Sequence, residues 1–325
     1  MTSDRKAFFR KPPPPETPIG PDSCVLVRVG TACDQTCIMC PNPTGSGRSY
    51  LPTPEWIRRV DFVASLGFPR VMLTGGEPTL HPGFEAGIEV LATRRIAWDI
   101  VTNGGMFSTA GWAERARAAG LRRAVVSLHS HDPVVNSAIT NSSAGSHRDR
   151  LHAIHRLQEA GLEVMVNHVL LPQNREGLCD FIQFCAREFG PTVRIKVAFP
   201  LFDLPWREWS AVHETYADCM DVLRAARAEA TTLGMDLLYE GIPNCILGDP
   251  HAASAGRIAF GVTHYLEDDP GDRVLSVAVI ESEVYVFAEF CNRCLAFERC
   301  TGVHVRYAER YGMPEMIPFG ASRWF

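Results

Sequence analysis

The segment TACDQTCIMCPNPTG, residues 31–45, carries three cysteines: Cys33, Cys37 and Cys40. It follows the apolar run CVLVRVG, residues 24–30, which predicts a strand, so three thiols share one loop at a strand end. Thiolates bind iron–sulfur clusters, and three of them leave one iron of a four-iron cluster open to a non-protein ligand. The spacing therefore predicts a reactive cluster. A zinc knuckle is the alternative, although structural zinc sites close with four ligands.

Strand-like and helix-like segments alternate along most of the chain. Continuous apolar strands separated by helices are typical of a parallel sheet covered by helices. We therefore predict an α/β fold, an open or partial (β/α)6 barrel that binds its ligands at the carboxyl ends of the strands. The predicted strands are residues 24–30, 70–76, 97–105, 123–130, 162–171 and 192–200, and the predicted helices are 54–67, one after Pro82, 110–119, 148–160 and 175–189.

The two ends of the chain do not follow this alternation of strands and helices. Six prolines between residues 12 and 21 predict an extended arm without regular structure, with the folded part beginning near Cys24. After a long predicted helix (208–233) and a strand (235–240), the run RVLSVAVIESEVYVFAEF, residues 273–290, predicts a hairpin that turns near residues 281–283. The predicted division is an arm (1–23), a barrel (24–235) and a small C-terminal α+β domain (236–325).

Composition narrows the class of protein. The net charge of −5 gives no general attraction to nucleic acid or to anionic membranes, and neither partner is expected. No apolar run has the length of a membrane span or the form of a signal peptide, so we expect a cytoplasmic protein. In that reducing compartment eleven cysteines, an odd number, favour metal binding over disulfides.

A second motif, Gly75-Gly76-Glu77-Pro78, ends the second predicted strand. Two adjacent glycines alone would indicate only a tight turn. Together with the three cysteines and Met39, which precedes the third of them, the motif resembles the radical S-adenosylmethionine (radical SAM) superfamily over roughly residues 24 to 240. The resemblance implies that a [4Fe-4S] cluster on the three cysteines binds S-adenosylmethionine and cleaves it reductively.

The same resemblance implies which residues hold the cofactor. In the family, the glycine-rich motif binds the amino group of the cofactor through backbone carbonyls and the acidic side chain. The ends of the third and fourth strands contact its ribose or carboxylate, and the fifth strand contacts adenine. The cofactor-binding residues so implied are Gly75, Gly76, Glu77, Pro78, Thr102, Asn103, Ser127 and Asn167.

A second group of cysteines lies near the C-terminus. Cys291, Cys294 and Cys300 follow the predicted hairpin and, with Cys245, could enclose a second centre with four thiolates. The spacing resembles the SPASM and Twitch extensions of the radical SAM family and implies one auxiliary [4Fe-4S] cluster, since His304 stands where the full pattern has another cysteine. A four-cysteine zinc site that staples a small domain is the alternative.

Radical chemistry needs a dry pocket and, for a net oxidation, a proton acceptor. His129, His131, Asp132 and Glu240 lie at predicted strand ends and are the candidate catalytic residues. We expect a radical SAM enzyme that oxidises, cross-links or rearranges a peptide or a small natural product. The alternative is a non-catalytic iron–sulfur or zinc-stapled binding protein.

The partners of such an enzyme follow from the resemblance. A one-electron donor such as flavodoxin or ferredoxin would reduce the first cluster. Few residues precede the first strand, too few for the leader-binding domain of many peptide-modifying relatives, so a peptide substrate would be presented by a separate leader-binding protein.

Overall fold

The computed structural model describes residues 8–40, 42, 47–200, 209–255, 261–267 and 273–320. The strands in these ranges are β1 (Phe8–Phe9), β2 (Cys24–Arg28), β3 (Arg70–Thr74), β4 (Ala97–Thr102), β5 (Leu121–Ser127), β6 (Glu163–Val169), β7 (Arg194–Ala198), β8 (Leu237–Glu240), β9 (Ser254–Ala255), β10 (His264–Leu266), β11 (Val274–Ser276), β12 (Tyr285–Ala288) and β13 (Val303–His304). The helices are α1 (Thr53–Ser65), α2 (Phe84–Arg94), α3 (Trp112–Ala118), α4 (Pro133–Thr140), α5 (Ala144–Glu159), α6 (Leu178–Phe189), α7 (Trp209–Val212), α8 (Tyr216–Leu233), α9 (Asn244–Leu247), α10 (Val277–Val284) and α11 (Val305–Tyr311).

One large sheet dominates the molecule. Its strand order is β11-β10-β2-β3-β4-β5-β6-β7-β8-β9, and every described pair is parallel except β10 with β11. The two edge strands, β11 and β9, do not pair with each other in the described part of the chain, so the sheet stays open. The predicted α/β fold with six consecutive parallel strands, β2 to β7, is confirmed, and further strands extend the sheet on both sides.

The two faces of this sheet bury different residues, because successive side chains of a strand point to opposite faces. One face packs against the helices through residues such as Val25 and Val71, which are paired across β2 and β3. The concave face carries a smaller apolar cluster that includes Leu26, Met72 and Met165. This cluster fills the amino-terminal half of the interior, and the carboxyl ends of the strands above it remain open.

The predicted hairpin at residues 273–290 is wrong. Helix α10 occupies its middle, β11 pairs with β10 in the large sheet, and β12 pairs with β1 and β13 in a separate three-stranded sheet. The β-branched residues favoured strands, but the two halves of the segment belong to different sheets. Tertiary pairing therefore overrides the local preference of the connecting residues.

The prediction that the folded part begins near Cys24 is also wrong. Phe8 and Phe9 form β1, which pairs antiparallel with Phe287 and Ala288 of β12. Residues 10–20 between β1 and the first turn have no regular structure, as the prolines predict, but they are held at several points. Residues 1–7 of the predicted arm lie outside the described residues.

Three further differences concern the middle of the chain. The predicted helix at 208–233 begins outside the described residues and is two helices, α7 and α8, because Thr215 and Asp218 form a capping box that starts α8. Helix α4 was not predicted. The strand predicted at 235–240 joins the large sheet beside β7. The domain division at residue 236 remains a prediction.

Every described helix is too short or too polar to cross a lipid bilayer.

Candidate functional site

A cleft with an open space of ≈ 1060 Å³ lies at the carboxyl ends of the parallel strands. It brings together residues that are far apart in the sequence but at equivalent positions of neighbouring strands. Its lining includes nearly all the residues predicted for the first cluster and its cofactor. These are Cys33, Cys37, Cys40, Gly75, Gly76, Glu77, Thr102, Asn103, Ser127 and Asn167. Two of the candidate catalytic residues, His129 and Glu240, also line the cleft.

The glycine pair packs directly against the start of the cysteine loop. The backbone N–H of Gly76 donates to the carbonyl of Gly30 at 3.0 Å, and that of Glu77 donates to the carbonyl of Ala32 at 2.9 Å. Gly75 has a φ of +139°, and a Cβ at this position would lie 2.1 Å from the Gly30 oxygen. The glycines are therefore required by this close approach of two backbones.

The carboxylate of Glu77 is buried at the base of the cleft. It accepts four hydrogen bonds: from the hydroxyls of Thr79 and Thr102 at 2.7 and 2.8 Å, and from the backbone N–H groups of Thr79 and Asn103 at 3.1 and 2.6 Å. Burial raises its pKa, and the hydrogen bonds oppose this. Glu77 thereby ties the end of β3 to the end of β4.

Hydrogen bonds from three polar side chains also hold the cysteine loop in place. Asn103 donates to the carboxylate of Asp34 at 2.7 Å, and Arg48 donates to the carbonyl of Cys33 at 3.0 Å. The fully buried guanidinium of Arg150, in α5, donates to the side-chain oxygen of Gln35 at 2.7 Å. Arg150 was not predicted from the sequence, and it places a positive charge close to the thiols.

Two thiols of this loop, those of Cys33 and Cys37, are protonated in the absence of a metal. Burial raises the pKa of Cys33 to about 12 and that of Cys37 to about 11. A bound metal centre would have to displace these protons, because metals bind the thiolate.

Two features of the cleft wall suit a polar organic ligand. Asn167, on the inward side of β6, has a buried Oδ1 atom that no described residue hydrogen-bonds. Ser127 stands beside it, since it is paired with Asn167 across β5 and β6. An unpaired buried amide oxygen is costly, and an N–H group of a ligand would satisfy it.

Two of the four candidate catalytic residues line the cleft. His129 accepts a hydrogen bond at Nδ1 from the backbone N–H of Val169 at 3.2 Å, so the neutral ring carries its proton on Nε2. Burial lowers its pKa well below the ordinary value, and His129 is therefore a hydrogen-bond donor.

Glu240 is paired with Lys196, and both side chains line the cleft. Lys196 was missed, although a charged residue inside the apolar strand RIKVA signals an unusual position.

The structure places the other two candidates elsewhere. His131 packs on Phe184, with ring centroids 6.0 Å apart, and Asp132 caps α4 by accepting from the backbone N–H groups of Val134 and Val135. Neither is among the described residues that line the cleft. Pro78 is buried below the cleft and starts a short 3-10 turn.

The four C-terminal cysteines line a second cavity. Cys245 comes from α9, and the other three follow β12. The rest of the lining is almost entirely apolar, with residues such as Phe287, Phe297 and Met316. Burial raises the pKa of Cys245 to about 12 and that of Cys291 to about 11.

Backbone groups point at the sulfurs of this second site. The N–H of Gly302 donates to Sγ of Cys300 at 3.4 Å, and that of Phe319 donates to Sγ of Cys294 at 3.3 Å. Hydrogen bonds to sulfur are one of the means by which proteins tune iron–sulfur clusters. In the described ranges, no three or more His, Cys, Asp or Glu side chains are grouped closely enough to hold one metal ion.

The fold and the cleft define a class: an open parallel α/β sheet that presents three cysteines and a glycine-rich turn at its carboxyl edge. Residues 27–185 match the family model described as the radical SAM superfamily. This part of the chain is a radical SAM domain.

Two relatives show how far the similarity extends. A PqqA peptide cyclase of Granulibacter bethesdensis is 30% identical over 176 residues, which cover 54% of this chain and 46% of that protein. A GTP 3',8-cyclase of Aquifex aeolicus is 34% identical over 173 residues, or 50% of this chain and 52% of that protein. The chain thus spans about half the length of the curated relatives it matches.

Solved structures share the fold at low sequence identity. Streptococcus suis SuiB bound to the precursor peptide SuiA matches with a TM-score of 0.56 and 19% identity, over 67% of this chain and 48% of that one. The protein anSMEcpe with bound AdoMet matches with a TM-score of 0.55 and 14% identity, over 66% and 61% of the two chains.

Proposed function

We propose that the protein is a radical SAM enzyme that removes hydrogen from a peptide, with one [4Fe-4S] cluster on Cys33, Cys37 and Cys40 and a second on the four C-terminal cysteines. The observation that carries the proposal is the single cleft that the three thiols share with the glycine-rich turn and with polar side chains of five successive strands. The thiols, the glycine-rich turn and the strand residues Thr102, Ser127 and Asn167 occupy positions that the resemblance assigns to the cluster and its cofactor. All of them lie within residues 27–185, which match the family model.

The residues present fit the cofactors. The cleft offers three thiols for four irons, and the unpartnered Oδ1 of Asn167 and the hydroxyl of Ser127 for a nucleoside. Bound there, the reduced cluster and S-adenosylmethionine supply a 5'-deoxyadenosyl radical, which abstracts a hydrogen atom from the substrate. The protein holds the cofactor amino group near Gly75 and Gly76 and keeps water from the reacting atoms.

Glu240 is the proton acceptor in this proposal. It is the candidate whose carboxylate lines the cleft, whereas the Nδ1 lone pair of His129 is already used by Val169. After hydrogen-atom abstraction, oxidation of the substrate radical releases one electron and one proton. Glu240 would take up the proton, and a cluster held by the four C-terminal cysteines would supply an acceptor for the electron, which gives a net two-electron oxidation of the substrate. His129 donates from Nε2 to a substrate oxygen.

The second cavity supports the electron-accepting role. Four thiols would close the coordination of a cluster, and backbone N–H groups already point at two of the sulfurs. A small cavity shares Phe199 and Glu240 with the cleft. It is also lined by Tyr285, the residue that precedes Val286 in the lining of the second cavity.

Peptides are the proposed substrate class, because the relatives and structures include a PqqA peptide cyclase and SuiB bound to its precursor peptide. The GTP 3',8-cyclases favour a second candidate, a nucleotide. Both classes require the same radical initiation, and they differ in what occupies the Lys196–Glu240 end of the cleft.

The test is anaerobic reconstitution with iron and sulfide, followed by dithionite and S-adenosylmethionine. We expect about eight irons per chain for two four-iron clusters, and formation of 5'-deoxyadenosine. Cys37→Ala should abolish 5'-deoxyadenosine, and Cys300→Ala should retain it while lowering the iron to about four per chain. The buried Cys185, away from both cavities, provides the matched control, Cys185→Ala. Failure of the wild type to cleave the cofactor would rule the function out.

Substrate class is tested with two probes, GTP and a synthetic peptide library, each added to the reconstituted enzyme. The peptide proposal expects 5'-deoxyadenosine formation to rise with the library and not with GTP. Stimulation by GTP alone would replace the peptide proposal with the nucleotide one.

A further inference from the structure

The N-terminal arm reaches the second cysteine site. Strand β1 pairs with β12, directly before the cysteines, and the ring of Phe9 packs on Phe287 and Phe297 with centroids 5.9 and 6.0 Å away. Further along the arm, the carbonyl of Thr17 accepts a hydrogen bond from His264 at 2.9 Å. In the described part of the chain, the arm is therefore held at the second cysteine site and beside β10 of the large sheet.

Lys11 makes the densest set of contacts in this arm. Its ammonium donates to the carbonyls of Phe297, Glu298 at 3.3 Å and Cys300 at 3.1 Å. It also lies over the rings of Phe287 and Phe297, 4.8 and 4.6 Å from their centroids. All three N–H bonds thus point into the turn between Cys294 and Cys300, two of the proposed ligands.

Lysine is rare in this chain, so the presence of one at this position is informative. The sequence has three lysines, at positions 6, 11 and 196, among 32 Lys and Arg residues. Of the two in the described ranges, Lys196 lies in the first cleft and Lys11 at the second site. An ammonium directs three donors from one point, whereas the guanidinium of arginine is a planar fork. Three converging carbonyls therefore match lysine better than arginine.

We propose that Lys11 is a positioning residue for the second cysteine site: its ammonium fixes the turn from Phe297 to Cys300 and places a positive charge beside Cys300, which raises the reduction potential of a cluster bound there. The potential depends on net charge and hydrogen bonding near the cluster. The inference rests on the proposed function for the part that concerns the cluster, and on the contacts alone for the part that concerns the turn.

The test uses the full chain with Cys33, Cys37 and Cys40 replaced by alanine, so that only the second site binds iron. In this parent, Lys11→Met keeps the packing of the stem and removes the charge. We expect a lower midpoint potential in a redox titration followed by electron paramagnetic resonance. We also expect iron release to 2,2'-bipyridine about ten-fold faster, the size of effect of one lost charge-assisted hydrogen bond.

Two variants separate the contributions. Lys11→Arg keeps the charge but cannot reach the three carbonyls in the same way, so the potential should stay near that of the parent while iron release accelerates. Arg10→Met is the matched control, because Arg10 donates to the carbonyl of Glu283, away from the cysteines. It should change neither quantity. Equal potentials and release rates for Lys11→Met and the parent would overturn the proposal.

Hydrogen exchange of the metal-free protein separates this inference from the proposed function. Lys11→Met should speed amide exchange in residues 297–302 by about ten-fold, because the turn loses its tether. If the parent binds no cluster but the exchange rises, the second cluster is wrong and the positioning role stands. Unchanged exchange contradicts the role of Lys11 whether or not a cluster is bound.

Discussion

Gly76 lies against Ala32 so closely that a Cβ on the glycine would be 1.9 Å from the alanine carbonyl oxygen. This contact joins the glycine-rich turn to the cysteine loop, since the neighbouring residue Glu77 donates its N–H to the same oxygen at 2.9 Å. The two motifs form one structural unit, although they are separated by helix α1 in the sequence.

Gly76→Ala should therefore weaken both motifs at once. Backbone must move to accept the methyl group, which costs about 1–3 kcal/mol. We expect a lower free energy of unfolding, measured in urea. We also expect the first site of the variant to bind much less iron than that of the wild type after reconstitution. Gly145→Ala is the control, because a Cβ there meets only Ser143 Oγ at 3.4 Å. Full iron loading of Gly76→Ala would contradict the structural unit.

Arg150 should matter for the first site through Gln35 and its charge. Arg150→Met removes a fully buried guanidinium that donates to Gln35, and leaves Arg48 as the remaining cation beside the thiols. We expect iron retention at the first site to fall and the free energy of unfolding to drop by roughly 2–4 kcal/mol. Arg148→Met, on the exposed face of the same helix, should have little effect. A shared loss in both variants would point to helix α5 as a whole instead.

Removing one member of the Lys196–Glu240 pair should lower the free energy of unfolding more than replacing both members with uncharged residues. Both side chains are almost fully buried, so Lys196→Met removes the ammonium group from a buried carboxylate and should destabilise the metal-free protein by about 3–5 kcal/mol. The double variant Lys196→Met/Glu240→Gln should recover much of this loss. A urea-denaturation double-mutant cycle measures the coupling, and additive effects would show that the pair is not coupled.

His168 should make stability depend on pH. Burial lowers its pKa to about 3 from an ordinary 6.5. Between these values the unfolded chain binds a proton that the folded protein excludes, so this contribution is complete above pH 6.5 and is lost as the pH falls. His168→Leu should reduce the loss of unfolding free energy between pH 6.5 and 5.0 by roughly 1.5 kcal/mol. Exposed His152→Leu is the control, and equal pH slopes in both variants would contradict the prediction.

Two features of the sequence allowed part of the site to be predicted: the close spacing of the cysteines, and the alternation of side chains between the two faces of a strand. Cys33, Cys37 and Cys40 lie within one loop, so their convergence follows from the sequence alone. Ser127 ends β5 and Asn167 lies beside it in β6, so both could be placed towards the carboxyl ends of their strands. Lys196 could have been found by the same parity, since Ile195 and Val197 beside it face the helices.

Contacts between distant segments could not be predicted. Nothing near Lys11 in the sequence indicates that three carbonyls of residues 297–300 surround it. The hairpin at 273–290 failed for a related reason, because its two halves pair with strands from opposite ends of the chain. Likewise, the donor role of His129 depends on the N–H of Val169 in a neighbouring strand.

The pairing of β10 with β2 sets an order for assembly on the ribosome. Val25 emerges early in synthesis, but its partner His264 is among the later residues to be made. Until then one edge of β2 offers unpaired backbone groups next to the loop that carries the first three thiols. The nascent sheet is thus exposed to wrong strand pairing at this edge until residues 264–265 have been made, so a cluster inserted earlier would lie beside an unpaired strand.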